Sequence, residues 1–435
     1  MQYQSTRDKN LKASSAQAIL NGLAPDGGLY TMPSFDEVKF DYTTVLNMDT
    51  MSMSTKILSK LLPDFSEAEM AKLVHDGYTG KFETDHLTPT VPVGEDFILE
   101  LFRGPTSAFK DVALSMLPRL MTASKEKLGV DDEIMILTAT SGDTGKAAME
   151  GFCDVPGTKI IVFYPHGGVS AVQQAQMATQ AGENVCVCAV RGNFDDAQTG
   201  VKKIFSDDAF AAKLAARHVK LSSANSINIG RLVPQVAYYV YSYLKLAADG
   251  VLACGQPMNV VVPTGNFGNL LAAYFAREMG VPIAKLICAS NDNKVLTDFI
   301  RPGAYDIRGE VRKFYCTNSP SMDILISSNL ERLLFDLSGE NDAEIRMYMD
   351  ALGSAGRYQV SDNIKAKLDD AFWGGCCSEE ETEKTIRRYW QDHNYLIDPH
   401  TAVAAEVLAQ YRAASGDETP AVVVSTAIAM SGRRV

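Results

Sequence analysis

The chain has 435 residues, of which 46% are hydrophobic and 22% are charged, a balance typical of a globular enzyme with two or three domains. This composition excludes a fibrous or largely disordered protein. The net charge of −12 disfavours nucleic acid and anionic membranes as partners, so any anion-binding site must be local. No stretch approaches ~18 apolar residues, and the start of the chain lacks the apolar core of a signal peptide, so we expect a cytoplasmic protein.

Cysteines and histidines give no sign of a metal site. The eight cysteines contain no CxxC framework, and the six histidines are dispersed without an HExxH grouping. We therefore expect no bound metal.

Residues 1–90 are predicted to be mainly helical and rich in turns, and we assign them to an N-terminal cap domain. From about residue 97, apolar runs that end in small polar turns alternate with helical periodicity, which is typical of βαβ units. Strands this uniformly apolar are usually covered on both faces, as in a parallel sheet. The predicted strands are residues 97–102, 133–138, 159–164, 185–190, 258–262 and 421–425.

The predicted helices between these strands complete an open, mostly parallel α/β fold over residues 91–435. They are residues 144–152, 171–179, 195–205, 231–246 and 269–279. Weaker patterning over residues 300–395, with acidic helical segments at 341–352 and 378–392, predicts a peripheral helical insertion. Gly374-Gly375 reads as a loop or hinge within it.

Four polar turns each follow an apolar strand and open a helix, so a doubly wound sheet would gather them at its carboxyl edge. In the first, residues 104–111, we expect Ser107 to cap a helix that begins near Ala108. Lys110 would then lie in the first turn, where the helix dipole favours the neutral amine that imine chemistry needs. The segment alone fits a solvated lysine at a helix start as well.

The other three turns are rich in hydroxyls, amides and glycines. Residues 138–145 (TATSGDTG) fit a carboxylate or phosphate at a helix N-terminus, or a structural turn, and match neither a P-loop nor GxGxxG. Residues 263–268 (PTGNFG) would let several N–H groups converge on a phosphate. Residues 222–231 (SSANSINIGR) form a polar patch that is costly to bury, and Arg231 fits either a phosphate or a structural salt bridge.

Five motifs stand in the order ELFRGPTSAFKD, TATSGDTG, SSANSINIGR, PTGNFG and DPHTAVA, with GLAPDGGLY near the start. This order resembles the threonine synthase family of the bacterial and fungal branch, from about residue 3 to residue 427. The resemblance implies a fold-type II pyridoxal-phosphate enzyme with a tryptophan-synthase-β-like α/β architecture. It implies a carbon–oxygen lyase that converts O-phospho-L-homoserine and water to L-threonine and phosphate. It further implies a monomer or a homodimer whose partner is a small-molecule substrate.

The resemblance also implies residue roles. Lys110 would carry the cofactor as a Schiff base and act as the catalytic base, with Phe109 packed beside the cofactor. The hydroxyl of Ser425 or Thr426 would face the pyridine nitrogen. The cofactor phosphate is assigned to Gly265, Asn266, Phe267 and Gly268. The substrate is assigned to Thr140, Ser141, Gly142, Asp143 and Thr144 at one end, and to Asn225, Ser226, Asn228 and Arg231 at its phosphate end.

The chain departs from the family pattern at both ends. Ser5-Thr6-Arg7 is followed by Asp8 instead of glycine, in a region that we predict to be peripheral. After Ala427 the chain reads IAMSGRRV where the family continues with a His/Ser-Pro-x-Lys-Phe stretch, so we expect an incomplete C-terminal end. Two alternatives stay open: another fold-type II lyase or dehydratase acting on an amino acid, and an inactive truncated homologue that binds the cofactor.

Overall fold

The structure, a computed structural model, describes residues 1–140, 142–169, 171–205 and 207–429. Its strands are β1 (Tyr3–Ser5), β2 (Lys12–Ala13), β3 (Tyr30–Thr31), β4 (Thr90–Val93), β5 (Asp96–Glu100), β6 (Glu133–Ala139), β7 (Thr158–Pro165), β8 (Val185–Val190), β9 (Val219–Ser222), β10 (Met258–Pro263), β11 (Ile283–Ser290), β12 (Ala304–Asp306), β13 (Arg357–Gln359), β14 (Phe372–Cys376) and β15 (Ala421–Ser425). Its helices are α1 (Ser15–Asn21), α2 (Thr50–Leu61), α3 (Glu67–Tyr78), α4 (Lys110–Leu128), α5 (Asp143–Phe152), α6 (Ala171–Ala178), α7 (Phe194–Phe205), α8 (Asp208–Ala215), α9 (Ile229–Ala248), α10 (Gly268–Glu278), α11 (Val295–Ile300), α12 (Leu330–Leu337), α13 (Asp342–Ala355), α14 (Asp362–Ala371), α15 (Glu379–His393) and α16 (Pro399–Ser415). Short 3₁₀ turns lie at Tyr42–Val45 and Pro320–Met322.

Two larger sheets are formed by strands between residues 90 and 425. The larger has six strands in the order β14-β11-β10-β15-β5-β4, with every neighbouring pair parallel except β4 and β5. The smaller has the order β8-β7-β6-β9 and is parallel throughout. All six residues of β10 are buried, as expected for a parallel strand that is covered on both faces. The predicted open, mostly parallel α/β architecture is confirmed.

Helix α9 explains the long apolar stretch before β10. Almost its entire length is buried, and it packs against α2, α4 and α10, so its apolar residues belong to the core. None of the helices in the described residues is long and apolar enough to span a membrane.

The region predicted as a peripheral helical insertion is only partly helical. It contains α13 and α15 as expected, but it also contributes β14, which pairs in parallel with β11 at one edge of the six-stranded sheet. Gly374-Gly375 lies inside this strand, so the prediction of a loop there is wrong. A Cβ on Gly375 would lie 2.6 Å from the Trp373 ring and 2.7 Å from Val407, so the glycine serves close packing against α16.

The N-terminal region combines an antiparallel sheet, ordered β2-β1-β3, with α1 to α3, which pack on α4 and α9. The prediction that Ser5-Thr6-Arg7 is peripheral is wrong. Thr6 is fully buried and donates its hydroxyl to Glu331 Oε1 at 2.6 Å. The Arg7 guanidinium donates two hydrogen bonds to the same carboxylate, from Nε at 2.9 Å and from Nη2 at 2.8 Å. The start of the chain is therefore attached to α12.

Arg332, the next residue of α12, makes a second attachment. Its side chain is completely buried, and burial lowers the pKa of the guanidinium to about 10. Nε donates to the carbonyl oxygen of Tyr30 at 2.8 Å, and Nη2 donates to that of Ile227 at 2.5 Å. This one side chain joins the N-terminal sheet to the segment that precedes α9.

Candidate active site

Lys110 lies in the first turn of α4, as predicted, but the helix begins at Lys110 itself and Ser107 does not cap it. The Phe109 side chain stands at the N-cap position and makes no capping bond, and Ser107 has a φ of +56°. Instead, Asp111 reaches back and accepts hydrogen bonds from the Thr106 N–H at 2.8 Å and the Thr106 hydroxyl at 2.5 Å. The turn that presents Lys110 is therefore closed by its neighbouring carboxyl group.

The turn also requires glycine at position 104, because a Cβ there would lie 2.6 Å from Asp111 Oδ2. Asp111 is almost completely buried, and burial raises the pKa of its carboxyl group to about 6, against the opposing influence of its hydrogen bonds and of Lys146. The carboxyl group thus closes the turn, but its burial destabilises the ionised form.

The Lys110 side chain lies between two other parts of the chain. It is 9% exposed, and Nζ is 4.8 Å from the centre of the Phe109 ring and 3.5 Å from Ser321 Oγ. The Phe109 N–H donates to the Thr426 carbonyl oxygen at 2.8 Å, which joins the lysine turn to the end of β15. Ser425 is buried there, with its hydroxyl 2.9 Å from that of Thr401.

Residues 265–268 follow β10 and form a glycine loop that also approaches Ser321. A Cβ on Gly265 would lie 2.6 Å from the Ser321 carbonyl oxygen, so the two backbones approach each other closely. Hydrogen bonds from the segment after Ser321 occupy the carbonyl groups of the loop. Ser327 Oγ donates to Gly265 O at 2.9 Å, and both N–H groups of Asn329, backbone and side chain, donate to Asn266 O at 3.1 Å.

The loop ends at Phe267, which is buried and has a φ of +64° at the N-cap of α10. Within the described residues, the N–H groups of residues 265–268 have no hydrogen-bond acceptor. Such donors at the N-terminus of an eleven-residue helix suit an anion. The loop therefore has the N–H donors that a phosphate needs.

The loop after β6 is shaped by Thr140, whose buried hydroxyl accepts hydrogen bonds from Gly142 N at 3.0 Å and Gly145 N at 2.9 Å. Gly142 has a φ of +141°, which residues with a side chain rarely adopt. Thr144 is half-buried in the first turn of α5. Ser141 lies outside the described residues, and so does the side chain of Asp143.

The segment before α9 divides between structural and available residues. Asn228 is fully buried as the N-cap of α9: Oδ1 accepts from Gly230 N at 2.9 Å, and Nδ2 donates to Ile19 O at 2.9 Å. Both ends of the Asn228 amide thus support the fold, and its role in binding substrate stays a prediction. Asn225 is exposed, and Ser226 lies next to Gly268, so the structure brings this segment to the glycine loop.

Arg231 is buried without a carboxylate partner in the part of the chain that the structure describes. It donates through Nη1 to the Ala224 carbonyl oxygen, and its Nε has no partner among the described residues. Burial lowers the pKa of its guanidinium to about 10. A buried cation of this kind favours an anion nearby, and the described residues do not form the structural salt bridge that was considered from the sequence.

Sequence reasoning missed the segment around Ser321 and gave no role to the residues of DPHTAVA. His400 and Asp398 are both buried, with His400 Nδ1 2.5 Å from Asp398 Oδ2. His400 Nε2 accepts from the Ser321 N–H at 3.4 Å. The small polar residues scattered through PSMDILISSN were the available signal, but the distance of this segment along the chain from Lys110 concealed the contact.

The site fits a cofactor that carries both an aldehyde and a phosphate group. Lys110 supplies the amine, the loop at residues 265–268 supplies N–H groups that have no acceptor among the described residues, and Ser321 touches both. A family model described as "Pyridoxal-phosphate dependent enzyme" matches residues 88–358, which include both of these elements. The chain thus belongs to this class of enzymes, and its cofactor is pyridoxal phosphate.

The family within this class follows from the rest of the chain. A model described as "Threonine synthase N terminus" matches residues 2–78. The threonine synthase of Pseudomonas aeruginosa is 35% identical over 415 residues, which cover 95% of this chain and 85% of that protein. The chain belongs to the threonine synthase family.

Two further comparisons describe its relatives. The crystal structure of threonine synthase with bound pyridoxal phosphate from Brucella melitensis has a TM-score of 0.90 and 37% identity, with coverage of 99% of this chain and 89% of that chain. Human "Threonine synthase-like 1" is 38% identical over 423 residues, which cover 94% of this chain. The match covers 56% of that relative, so the chain spans little more than half of its length.

Proposed function

We propose that the protein is a threonine synthase, which converts O-phospho-L-homoserine and water to L-threonine and phosphate. The observation that carries the proposal is the position of Lys110, buried at the start of α4 beside the glycine loop, in a chain that aligns with threonine synthases over nearly its whole length. We further propose a cytoplasmic enzyme that acts as a monomer or a homodimer.

The cofactor would be held at three places. Lys110 would bond to its aldehyde carbon, the N–H groups of residues 265–268 would bind its phosphate, and Phe109 would pack beside it. The hydroxyl of Ser425 or Thr426 would face its pyridine nitrogen, because both lie where β15 ends beside the lysine turn. When bound, pyridoxal phosphate supplies an electron sink that stabilises negative charge on the substrate carbon next to the amine.

Lys110 would move the protons. An unprotonated Lys110 amine would accept the proton from substrate Cα, and it would have to pass that proton on before it could accept a second proton from Cβ. The Lys110 side chain is 9% exposed and lies at the N-terminus of α4. The Ser321 hydroxyl, within 3.5 Å of Nζ, orients the amine.

The substrate would lie between the loop after β6 and the segment before α9. We propose that Thr140, Ser141, Gly142, Asp143 and Thr144 receive its carboxylate end. Its phosphate end would lie near Asn225, Ser226 and Arg231, where the buried guanidinium offers an Nε that has no partner in the described part of the chain. These contacts orient the scissile bond and bind the leaving phosphate.

The test is a stoichiometric product assay on the purified chain. With pyridoxal phosphate and O-phospho-L-homoserine, we expect phosphate and threonine in equal amounts. Lys110→Ala should abolish both products and the adduct trapped by borohydride, whereas Lys313→Ala, at an exposed lysine, should change neither. Release of a keto acid and ammonia would identify a different lyase, and a protein that traps the cofactor but releases no phosphate would reject the proposal.

A further inference from the structure

Asp398 and His400 form a buried pair next to the site. The hydrogen bonds around this pair assign the position of the proton on His400. The 2.5 Å contact between His400 Nδ1 and Asp398 Oδ2 requires a proton on Nδ1, because a carboxylate can only accept. The neutral tautomer then leaves a lone pair on Nε2. Nε2 points to the Ser321 N–H at 3.4 Å, which is a donor, so the pair and Ser321 form a consistent chain of hydrogen bonds.

A second network fixes both flanks of the Ser321 turn. Asn291, at the end of β11, donates through Nδ2 to Thr317 Oγ1, Ser319 Oγ and Asp323 Oδ1, each at 2.9 Å. Asp323 Oδ2 also accepts from the Thr317 N–H at 2.9 Å. The turn is thus tied to the sheet on both sides of Ser321, and His400 contacts its middle.

Ser321 connects the Asp398–His400 pair to Lys110 and to the glycine loop. Its hydroxyl lies 3.5 Å from Lys110 Nζ, and its carbonyl oxygen abuts Gly265 of the glycine loop. Both the contact to Lys110 and the contact to His400 are long for hydrogen bonds, so a displacement of less than an ångström would disconnect them. Apoprotein contacts of this length commonly tighten when a ligand is bound.

We propose that Asp398 and His400 are positioning residues, which hold the Ser321 hydroxyl against Lys110 and so orient the lysine amine for bonding to the cofactor aldehyde. The proposal deepens the proposed function, but it rests only on the part that concerns the cofactor. A serine hydroxyl can accept a hydrogen bond from an ammonium and donate one to a neutral amine, so Ser321 can hold Nζ in either state.

Asp398 has a further partner that links the two ends of the cofactor site. Its Oδ1 accepts from the Thr401 hydroxyl, which is also 2.9 Å from Ser425 Oγ. One carboxylate thereby supports both the lysine side, through His400, and the end of β15, through Thr401. Substitution of His400 separates these two branches, because it leaves the Thr401 branch in place.

The experiment measures the rate at which apoprotein forms an imine with added pyridoxal phosphate, followed by absorbance and by borohydride trapping. We expect His400→Ala and Ser321→Ala each to slow imine formation about tenfold or more, because the amine loses its orientation. The double variant should be no slower than the slower single variant, since both act through one hydroxyl. His400→Gln, whose amide oxygen can replace Nε2 as acceptor, should recover most of the rate.

His218→Ala, at an exposed histidine, is the matched control and should be unchanged. The proposal is overturned if His400→Ala forms the imine within about twofold of the unmodified rate, if the effects of the two single variants multiply, or if the unmodified chain forms no imine. If His400→Ala does not fold, an unchanged rate of imine formation in Ser321→Ala also overturns the proposal. No O-phospho-L-homoserine is used, so a chain that shows the expected imine pattern but releases no phosphate rejects only the threonine synthase reaction.

Discussion

Gly265→Ala should weaken cofactor binding through a single steric contact. The added Cβ would lie 2.6 Å from the Ser321 carbonyl oxygen, where real Cβ atoms essentially never come closer than 3.0 Å. The Ser321 turn must therefore recede by about 0.4–0.8 Å to reach an ordinary tight contact. Gly265 does not have a positive φ, so backbone strain adds nothing to the effect.

Overpacking of this kind costs about 1–3 kcal/mol. Because Ser321 also contacts Lys110, the turn cannot recede without altering the surroundings of the lysine, so the cost should appear in the cofactor complex. At 1.4 kcal/mol per factor of ten, the Kd for pyridoxal phosphate should rise about 5- to 150-fold.

The assay is a titration of apoprotein with pyridoxal phosphate, read from the imine absorbance. Gly353→Ala is the matched control, because it lies in α13 with nothing within 4 Å of the new Cβ, and it should leave the Kd unchanged. A Kd for Gly265→Ala within about twofold of the unmodified value, in a folded protein, would show that the close approach of Gly265 and Ser321 does not constrain the cofactor site.

Three stability predictions follow from the same structure, each measured by urea unfolding. The pKa of Asp111 is raised to about 6, so the folded state loses stability as the pH rises from about 4 to 6. Across that window the stability advantage of the unmodified protein over Asp111→Asn should shrink by up to about 3 kcal/mol. A stability difference that does not change with pH would contradict a raised pKa for Asp111. Glu331→Ala removes the partner of Thr6 and Arg7 and should cost about 2–3 kcal/mol, whereas no loss would refute the attachment of the N-terminal region. Thr140→Val leaves two N–H groups of its loop without their acceptor and should cost about 1–3 kcal/mol, which an unchanged midpoint would exclude.

The elements that the sequence predicted correctly are those whose information is local. The strands at residues 185–190 and 421–425 have the predicted bounds, because a short apolar run ends at a turn in each case. Lys110 was placed in the first turn of its helix for the same reason, since the polar turn and the apolar periodicity adjoin each other.

The errors arose where a distant or competing partner decides the conformation. Ser107 is a favourable capping residue, but the carboxyl group of Asp111 satisfies the turn first. Glycines are poor strand formers, so β14 gave no local signal, yet close packing against α16 selects Gly375 there. The contact between Ser321 and Lys110 joins residues 211 positions apart, and no local periodicity encodes such a contact.

The two attachments made by α12 limit how this protein can be rearranged. Glu331 binds the start of the chain, and the neighbouring Arg332 binds both Tyr30 in the N-terminal sheet and Ile227 in the segment before α9. Excision of the N-terminal region would leave the buried Glu331 carboxylate without Thr6 and Arg7, and the buried Arg332 guanidinium without Tyr30. The N-terminal region is therefore not an interchangeable module: a graft from a relative would have to bring its own matching first turn of α12.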